Sequence, residues 1–215
     1  MSGEVPHLVA VTDDERLDRS DFAERLEALL SAGCPAIWLR AGRRGARELL
    51  ALARVVGRRC DAAGAELWVG ERADVAALAG ARAVQLPDHG LSIVGARRAA
   101  GPRLAIGRSV HSVEAARVAA REGADWLVVG TIFPTGSHPG RVVGGSALLA
   151  AVRSALVAEG RDLPLIAIGG MTPESAREAR QAGAHGVAAI RALWEAEDPG
   201  AAARAFLAAL RRPVG

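Results

Sequence analysis

The sequence predicts an α/β fold, a single (β/α)8 TIM barrel with eight parallel strands inside and helices outside. Three observations predict it. Eight short apolar runs alternate with Ala/Leu/Arg/Glu-rich stretches of helical spacing. The strand–helix unit recurs roughly every 25 residues, as in an α/β barrel. Glycines stand just past several helical stretches, where a left-handed residue ends a helix. An open doubly wound sheet is the competing arrangement. The chain has 215 residues, half of them hydrophobic, which suits one barrel domain over residues 1–215.

The apolar runs are continuous rather than alternating, as expected of parallel strands buried on both faces. Leu8–Val11 is the first and ends at Thr12, Asp13 and Asp14. Phe22–Ala32 has helical spacing and stops at Gly33. The second strand, Ala36–Leu39, leads to Arg40, Gly42 and Arg43, and Ala46–Ala63 is a helix closed by Gly64. Glu66–Val69 runs into Gly70-Glu71. Ala83–Leu86 carries Gln85 and leads to Asp88 and His89. Arg103–Gly107 leads to Arg108, Ser109 and His111. The helix Val113–Glu122 ends at Gly123, and the sixth strand, Trp126–Gly130, enters the longest connection, Thr131 to Gly145. Leu165–Gly169 precedes the helix Glu174–Ala182, closed by Gly183. Gly186–Ile190 is the last strand, followed by Arg191. In barrels of this class the chemistry sits on the loops after the strands, so these strand ends are the candidate site. Asp13-Asp14 are expected in a solvated turn. Trp68, Trp126, Phe133 and Trp194 are expected to pack.

Composition excludes several function classes. The chain has no lysine and no tyrosine. A Schiff-base aldolase and a Walker-type phosphate lysine both need a primary amine, so both are excluded. The net charge of +3 comes from 27 basic and 24 acidic residues, interleaved along the helices, which does not describe a nucleic-acid surface. No apolar run is long enough to cross a bilayer, and Met1 to His7 has no signal pattern, so a cytoplasmic protein without membrane partner is expected. Cys34 and Cys60 lack metal-type spacing and read as reduced structural thiols.

Two segments carry the functional signal. Leu165-Ile166-Ala167-Ile168-Gly169-Gly170-Met171-Thr172-Pro173-Glu174 reads as a buried strand, two glycines and a helix start. Thr172 is a natural N-cap, Pro173 fits the first helical position, and Glu174 suits the positive end of the dipole. Backbone N–H groups that a ligand can approach closely, backed by a helix N-terminus, make an anion site of the kind found late in (β/α)8 barrels. The second segment is the sixth loop, Gly130-Thr131-Ile132-Phe133-Pro134-Thr135-Gly136-Ser137-His138-Pro139-Gly140-Arg141. It is long for a strand–helix connection and rich in hydroxyls, which marks a binding loop.

With Gly107-Arg108-Ser109-Val110-His111-Ser112 and the closing Ala182–Ile190 stretch, these segments resemble the thiamine phosphate synthase/TenI family over nearly the whole chain. The resemblance implies a small phosphorylated thiazole ligand. Its phosphate would meet Thr135, Gly136 and Ser137, the Gly169-Gly170 turn, and Ile190-Arg191. Arg191 stands where the family has serine. Synthases of the family join a pyrimidine pyrophosphate to a thiazole phosphate with Mg²⁺, and here the match thins. The family's Gln-x-Arg-x-Lys reads Trp38-Leu39-Arg40-Ala41-Gly42. Its Asn-Asp pair reads Gly70-Glu71. Its second metal aspartate falls near Gly90, with Asp88 close by, and its loop lysine falls on His138. Ser109 is kept.

The TenI-like branch matches better and implies a thiazole tautomerase, which moves a proton on a thiazole phosphate carboxylate without cofactor or metal. In that reading Arg40 holds the carboxylate through its planar fork. A histidine carries the proton. The family's catalytic histidine falls on Thr131, so His138 is the first candidate, followed by His111 and His89. Trp38, Ser109 and Thr131 are further substrate contacts. Glu71 and Asp88 would hold metal only in the synthase reading. The synthase and a non-catalytic phosphate-binding relative are the alternatives, and a homo-oligomer is compatible with either. His7 and His185 fall at the opposite end of the barrel.

Overall fold

The computed structural model describes residues 4–102, 104–135 and 143–211. In chain order the elements are β1 Leu8–Val11, α1 Asp14–Leu17, α2 Phe22–Ser31, β2 Ala36–Leu39, α3 Ala46–Ala63, β3 Glu66–Gly70, α4 Ala73–Ala79, β4 Ala83–Leu86, α5 Ile93–Ala100, β5 Ala105–Val110, α6 Val113–Arg121, β6 Trp126–Val129, α7 Gly145–Ala158, β7 Leu165–Ile168, α8 Pro173–Gln181, β8 Gly186–Ala189, α9 Arg191–Trp194 and α10 Pro199–Arg211. The strands form a closed barrel in sequence order, β1 to β8, with β8 returning to β1 in parallel. This is the expected (β/α)8 barrel.

The expected strands β1, β2 and β4 have the observed bounds, and Gly33, Gly64, Gly123 and Gly183 all take positive φ after their helices. β5 is displaced. It runs Ala105–Val110 rather than Arg103–Gly107, so Arg108 and Ser109 lie within the strand. The polar pair Arg108-Ser109 hid the continuation of a buried strand. It continues because β6 pairs along its whole end, from Gly107↔Trp126 to Val110↔Val129. The short helices α1 and α9 and the C-terminal helix α10 were not expected. α10 packs on α2 and α8 through buried Ala203, Phe206 and Leu210.

Two packing layers hold the barrel. Inside it, Val9, Val11, Trp38, Trp68, Trp126, Val128, Ile166 and Ala188 fill the lumen. The Trp68 and Trp126 rings stack at 4.4 Å between centroids. Between strands and helices lies the larger shell, which includes Leu26, Leu29, Ile37, Leu39, Leu127, Val152 and Phe206. Trp194 belongs to that shell and stacks on Phe22 at 5.4 Å. Burial of this apolar surface is the dominant favourable term in the fold. Above the filled lumen, space opens at the C-terminal mouth.

Candidate active site at the C-terminal mouth

A cavity of about 410 Å³ opens at the C-terminal ends of the strands. Its apolar floor includes Val128, Ile168 and Ala188. Polar groups from seven strand ends line it: Arg40, Glu71, Asp88, Ser109, His111, Thr131, Thr135, the Gly169-Gly170 turn and Arg191. Trp38, Gly70, Gln85, His89 and Ile190 also line the wall. An apolar pocket with a few convergent polar groups is the usual form of a small-molecule site.

On one side stands the β7–α8 turn. Gly169 has φ +100° and Gly170 φ +64°. Neither could carry a side chain: a Cβ at Gly169 would lie 2.5 Å from Thr131 Cγ2, and one at Gly170 2.5 Å from Pro134 O. The two glycines thus let the sixth loop lie against the seventh. Thr172 caps α8, accepting from Ser175 N at 3.2 Å, while Ser175 Oγ accepts from Thr172 N at 2.8 Å. The expected cap and proline start are both observed. Arg191 is exposed at the rim, where it begins α9.

Across the cavity, Arg40 is held through its backbone. The buried Thr12 hydroxyl donates to Arg40 O at 3.1 Å and accepts from Arg40 N at 3.0 Å. Arg40 Nη2 lies 4.0 Å from Asp13 Oδ2. Asp13 and Asp14 are not a solvated turn. Asp13 caps α1, and Asp14 accepts from Gly42 N, Arg43 N and Arg44 Nη1, tying the β2 loop to α1.

The third wall is a histidine–carboxylate cluster. His111 Nδ1 makes a short hydrogen bond to Gly130 O, and its Nε2 lies 3.4 Å from Asp88 Oδ2. The carbonyl partner fixes Nδ1 as the N–H donor, leaving Nε2 as the exchanging nitrogen. His89 Nδ1 lies 2.6 Å from Asp88 Oδ1. Burial pushes the Asp88 carboxyl up, but the His89 hydrogen bond and nearby His111 outweigh it and hold it below its usual range. Glu71 adopts φ +62°, a left-handed conformation uncommon for a non-glycine residue, and is exposed at the cavity wall.

Two residues brace the wall, Arg108 from behind it and Gln85 as part of its lining. Arg108 does not line the cavity. It is buried and donates to Pro87 O at 2.6 Å and Leu91 O at 2.8 Å, bracketing the Asp88-His89 turn. Gln85 is 1% exposed and links Trp126 Nε1, at 2.9 Å, to Ser109 Oγ, at 3.2 Å. A glutamine inside an otherwise apolar strand was the available signal for the second. Arg108 carried no signal separating a clamp from a ligand group. Trp38 packs its indole against Gly70, and its Nε1 is buried with no hydrogen-bond partner among the described residues. Gly136, Ser137, His138 and Arg141 lie outside the described residues. Cys34 and Cys60 are free and buried, and burial pushes their thiols up to about 11 and about 12.

Fold and cavity define a (β/α)8 barrel enzyme with its site at the C-terminal mouth. Comparison with known proteins narrows this. Residues 8–193 match the family model described as thiamine monophosphate synthase. The chain is 39% identical over 214 residues to the thiamine-phosphate synthase of Saccharopolyspora erythraea, covering 97% of this chain and 93% of that one. It is 38% identical over 191 residues to that of Thermobifida fusca, covering 88% and 86%. The solved thiamine phosphate pyrophosphorylase of Pyrococcus furiosus superposes with a TM-score of 0.83 at 31% identity, covering 97% and 96%. The chain belongs to the thiamine monophosphate synthase family, a family of thiamine biosynthesis.

Proposed function

We propose that this chain joins a pyrimidine pyrophosphate to a thiazole phosphate, the reaction for which its relatives are named. The observation that carries this reading is the 39% identity to a thiamine-phosphate synthase over 97% of the chain. It reverses the balance expected from the motifs alone, which favoured a tautomerase. The cavity is compatible with it. The thiazole phosphate would bind the N–H groups of the Gly169-Gly170 turn, with Thr135 and Arg191 at the rim. Arg40 would clamp the pyrophosphate oxygens in its planar fork, and Ser109 would donate to the pyrimidine side.

The reaction implies Mg²⁺, and the donor set fits it. Glu71 and Asp88 are carboxylates on consecutive strand ends lining one cavity. Mg²⁺ is commonly held by one or two carboxylates with substrate phosphates supplying the rest. Bound there, it would neutralise charge on the departing pyrophosphate. Arg40 and the floor residues would hold the two substrates face to face and exclude water.

One observation favours a second reading, the metal-independent thiazole tautomerase. His111 is oriented on the cavity wall by Gly130 O and faces Asp88, as a proton carrier requires. In that reading Arg40 holds the substrate carboxylate, and His111 takes the role first expected of His138.

Two assays on the purified protein separate the readings. One supplies thiazole phosphate, pyrimidine pyrophosphate and Mg²⁺, and detects the coupled product by mass. The other supplies the non-aromatic thiazole phosphate carboxylate without metal, and follows aromatisation by ultraviolet absorbance. Coupling supports the proposal. Aromatisation without coupling overturns it in favour of the tautomerase, and binding without turnover in either assay overturns both.

A further inference from the structure

At the opposite end of the barrel, away from the cavity, a second cluster of ligating groups comes together. One ligand atom each of Glu4, His7 and His185 lie within 4.8 Å of one another. His7 immediately precedes β1 and His185 immediately precedes β8, the two strands that close the barrel. The approach depends on Gly186. A Cβ there would lie 2.5 Å from His7 O, so only glycine lets the two strand starts pass this close.

Both rings are oriented by backbone carbonyls. His7 Nδ1 lies 2.7 Å from His185 O, and His185 Nε2 lies 2.6 Å from Val5 O. In the neutral imidazoles these nitrogens are the N–H donors, so each ring keeps one nitrogen with its lone pair. For His7 that nitrogen is Nε2, which sits 3.5 Å from Glu4 Oε1. Fixing one nitrogen on a carbonyl while the other ligates is the usual outer-shell arrangement of a metal-bound histidine. The rings stack at 4.2 Å between centroids.

We propose that Glu4, His7 and His185 form a site for a zinc-class divalent cation, which ties the N-terminal segment to the start of β8. Two imidazoles and one carboxylate suit Zn²⁺ rather than Mg²⁺ or Ca²⁺, which prefer all-oxygen shells. Three protein ligands leave a fourth position for water. Arg180 donates to His185 O at 2.6 Å, on the carbonyl that also orients His7, and so stiffens the ligand set from behind. The proposal is independent of the reaction at the mouth.

The test is titration of the metal-free full-length chain with zinc chloride by calorimetry, with thermal unfolding in parallel. The expected result is saturable binding with an unfolding midpoint that rises with zinc concentration. His7→Ala and His185→Ala abolish both effects, and Glu4→Gln weakens binding about tenfold or more. The Glu4 side chain is 78% exposed, so that variant folds even if His185→Ala does not. His89→Ala, which disrupts the histidine–carboxylate cluster at the mouth, leaves the zinc-dependent midpoint shift in place. Absence of stabilisation by zinc, its survival in His7→Ala, undiminished zinc affinity in Glu4→Gln, or loss of the shift in His89→Ala overturns the proposal.

Discussion

Replacing Gly70 with asparagine restores the residue that the resemblance places at the end of strand 3, yet it is expected to damage this chain. A Cβ at Gly70 would meet Trp38 Nε1 at 3.2 Å, Leu39 O at 3.4 Å and Arg40 Cα at 3.5 Å. The rest of the asparagine would have to occupy the space of an indole that is only 6% exposed. Overpacking of this kind costs about 1–3 kcal/mol. Loss of the glycine's freedom in the unfolded chain returns about 0.4–1 kcal/mol. Gly70→Asn should therefore destabilise by roughly 1–2 kcal/mol. Trp38→Gln alone should cost about 3 kcal/mol, near the low end for removing a large buried aromatic. Combined, the asparagine enters the space the indole leaves. The double variant should then be about 1–2 kcal/mol more stable than the sum of the singles. Urea unfolding of the four proteins gives the cycle. Additivity within about 0.5 kcal/mol would refute the claim that Trp38 and Gly70 are one coupled substitution. The same cycle bears on chemistry. If the pair displaced the family's glutamine and asparagine together, the double variant should couple substrates better than either single one.

Two further outcomes concern the mouth and one the opposite end of the barrel. Arg108→Met removes the clamp on Pro87 O and Leu91 O, and should cost about 2–3 kcal/mol in chemical denaturation. It should also raise KM more than it lowers kcat, because it frees the Asp88-His89 turn. His111→Asn should lower thiazole aromatisation by about 10²–10⁴-fold if that activity is present, while leaving coupling within a few-fold, as steady-state rates in both assays would show. Burial, with smaller contributions from His7 and Arg180, holds the His185 pKa below its usual 6.5 against the Val5 carbonyl. The unfolded chain therefore binds the proton first, and stability present above about pH 6.5 falls as the pH drops toward the folded value. Denaturation midpoints measured in a chelator between pH 7 and 5 should decline in the parent and decline less in His185→Gln.

Much of the architecture could be read from local signals. The continuous runs Leu8–Val11, Ala36–Leu39 and Ala83–Leu86 are strands because short apolar stretches between turn residues have few other solutions. Thr172-Pro173 starts α8 because cap and proline preferences act within one turn of backbone. The same holds for the strand-end locations of Arg40, Asp88, His111 and the Gly169-Gly170 turn, since barrel topology alone sends them to one mouth. β5 was misplaced because Arg108 and Ser109 are polar, and only pairing with β6 keeps them in the strand.

Which of those residues face one another was decided by tertiary structure. Asp88 and His111 come from different strands, and their 3.4 Å approach depends on barrel register, which no local pattern encodes. Arg40, just after β2, and Arg108, within β5, are the same residue type at the mouth end of their strands, yet Arg108 braces a loop from behind and Arg40 lines the cavity. The difference lies in the direction each side chain takes from its strand. The pairing of His7 with His185 spans nearly the whole chain and exists because β8 closes on β1. Composition and short-range propensity thus determined the elements and the end of the barrel that carries chemistry. Closure of the sheet determined the contacts, because it is the step that brings distant side chains within hydrogen-bonding range.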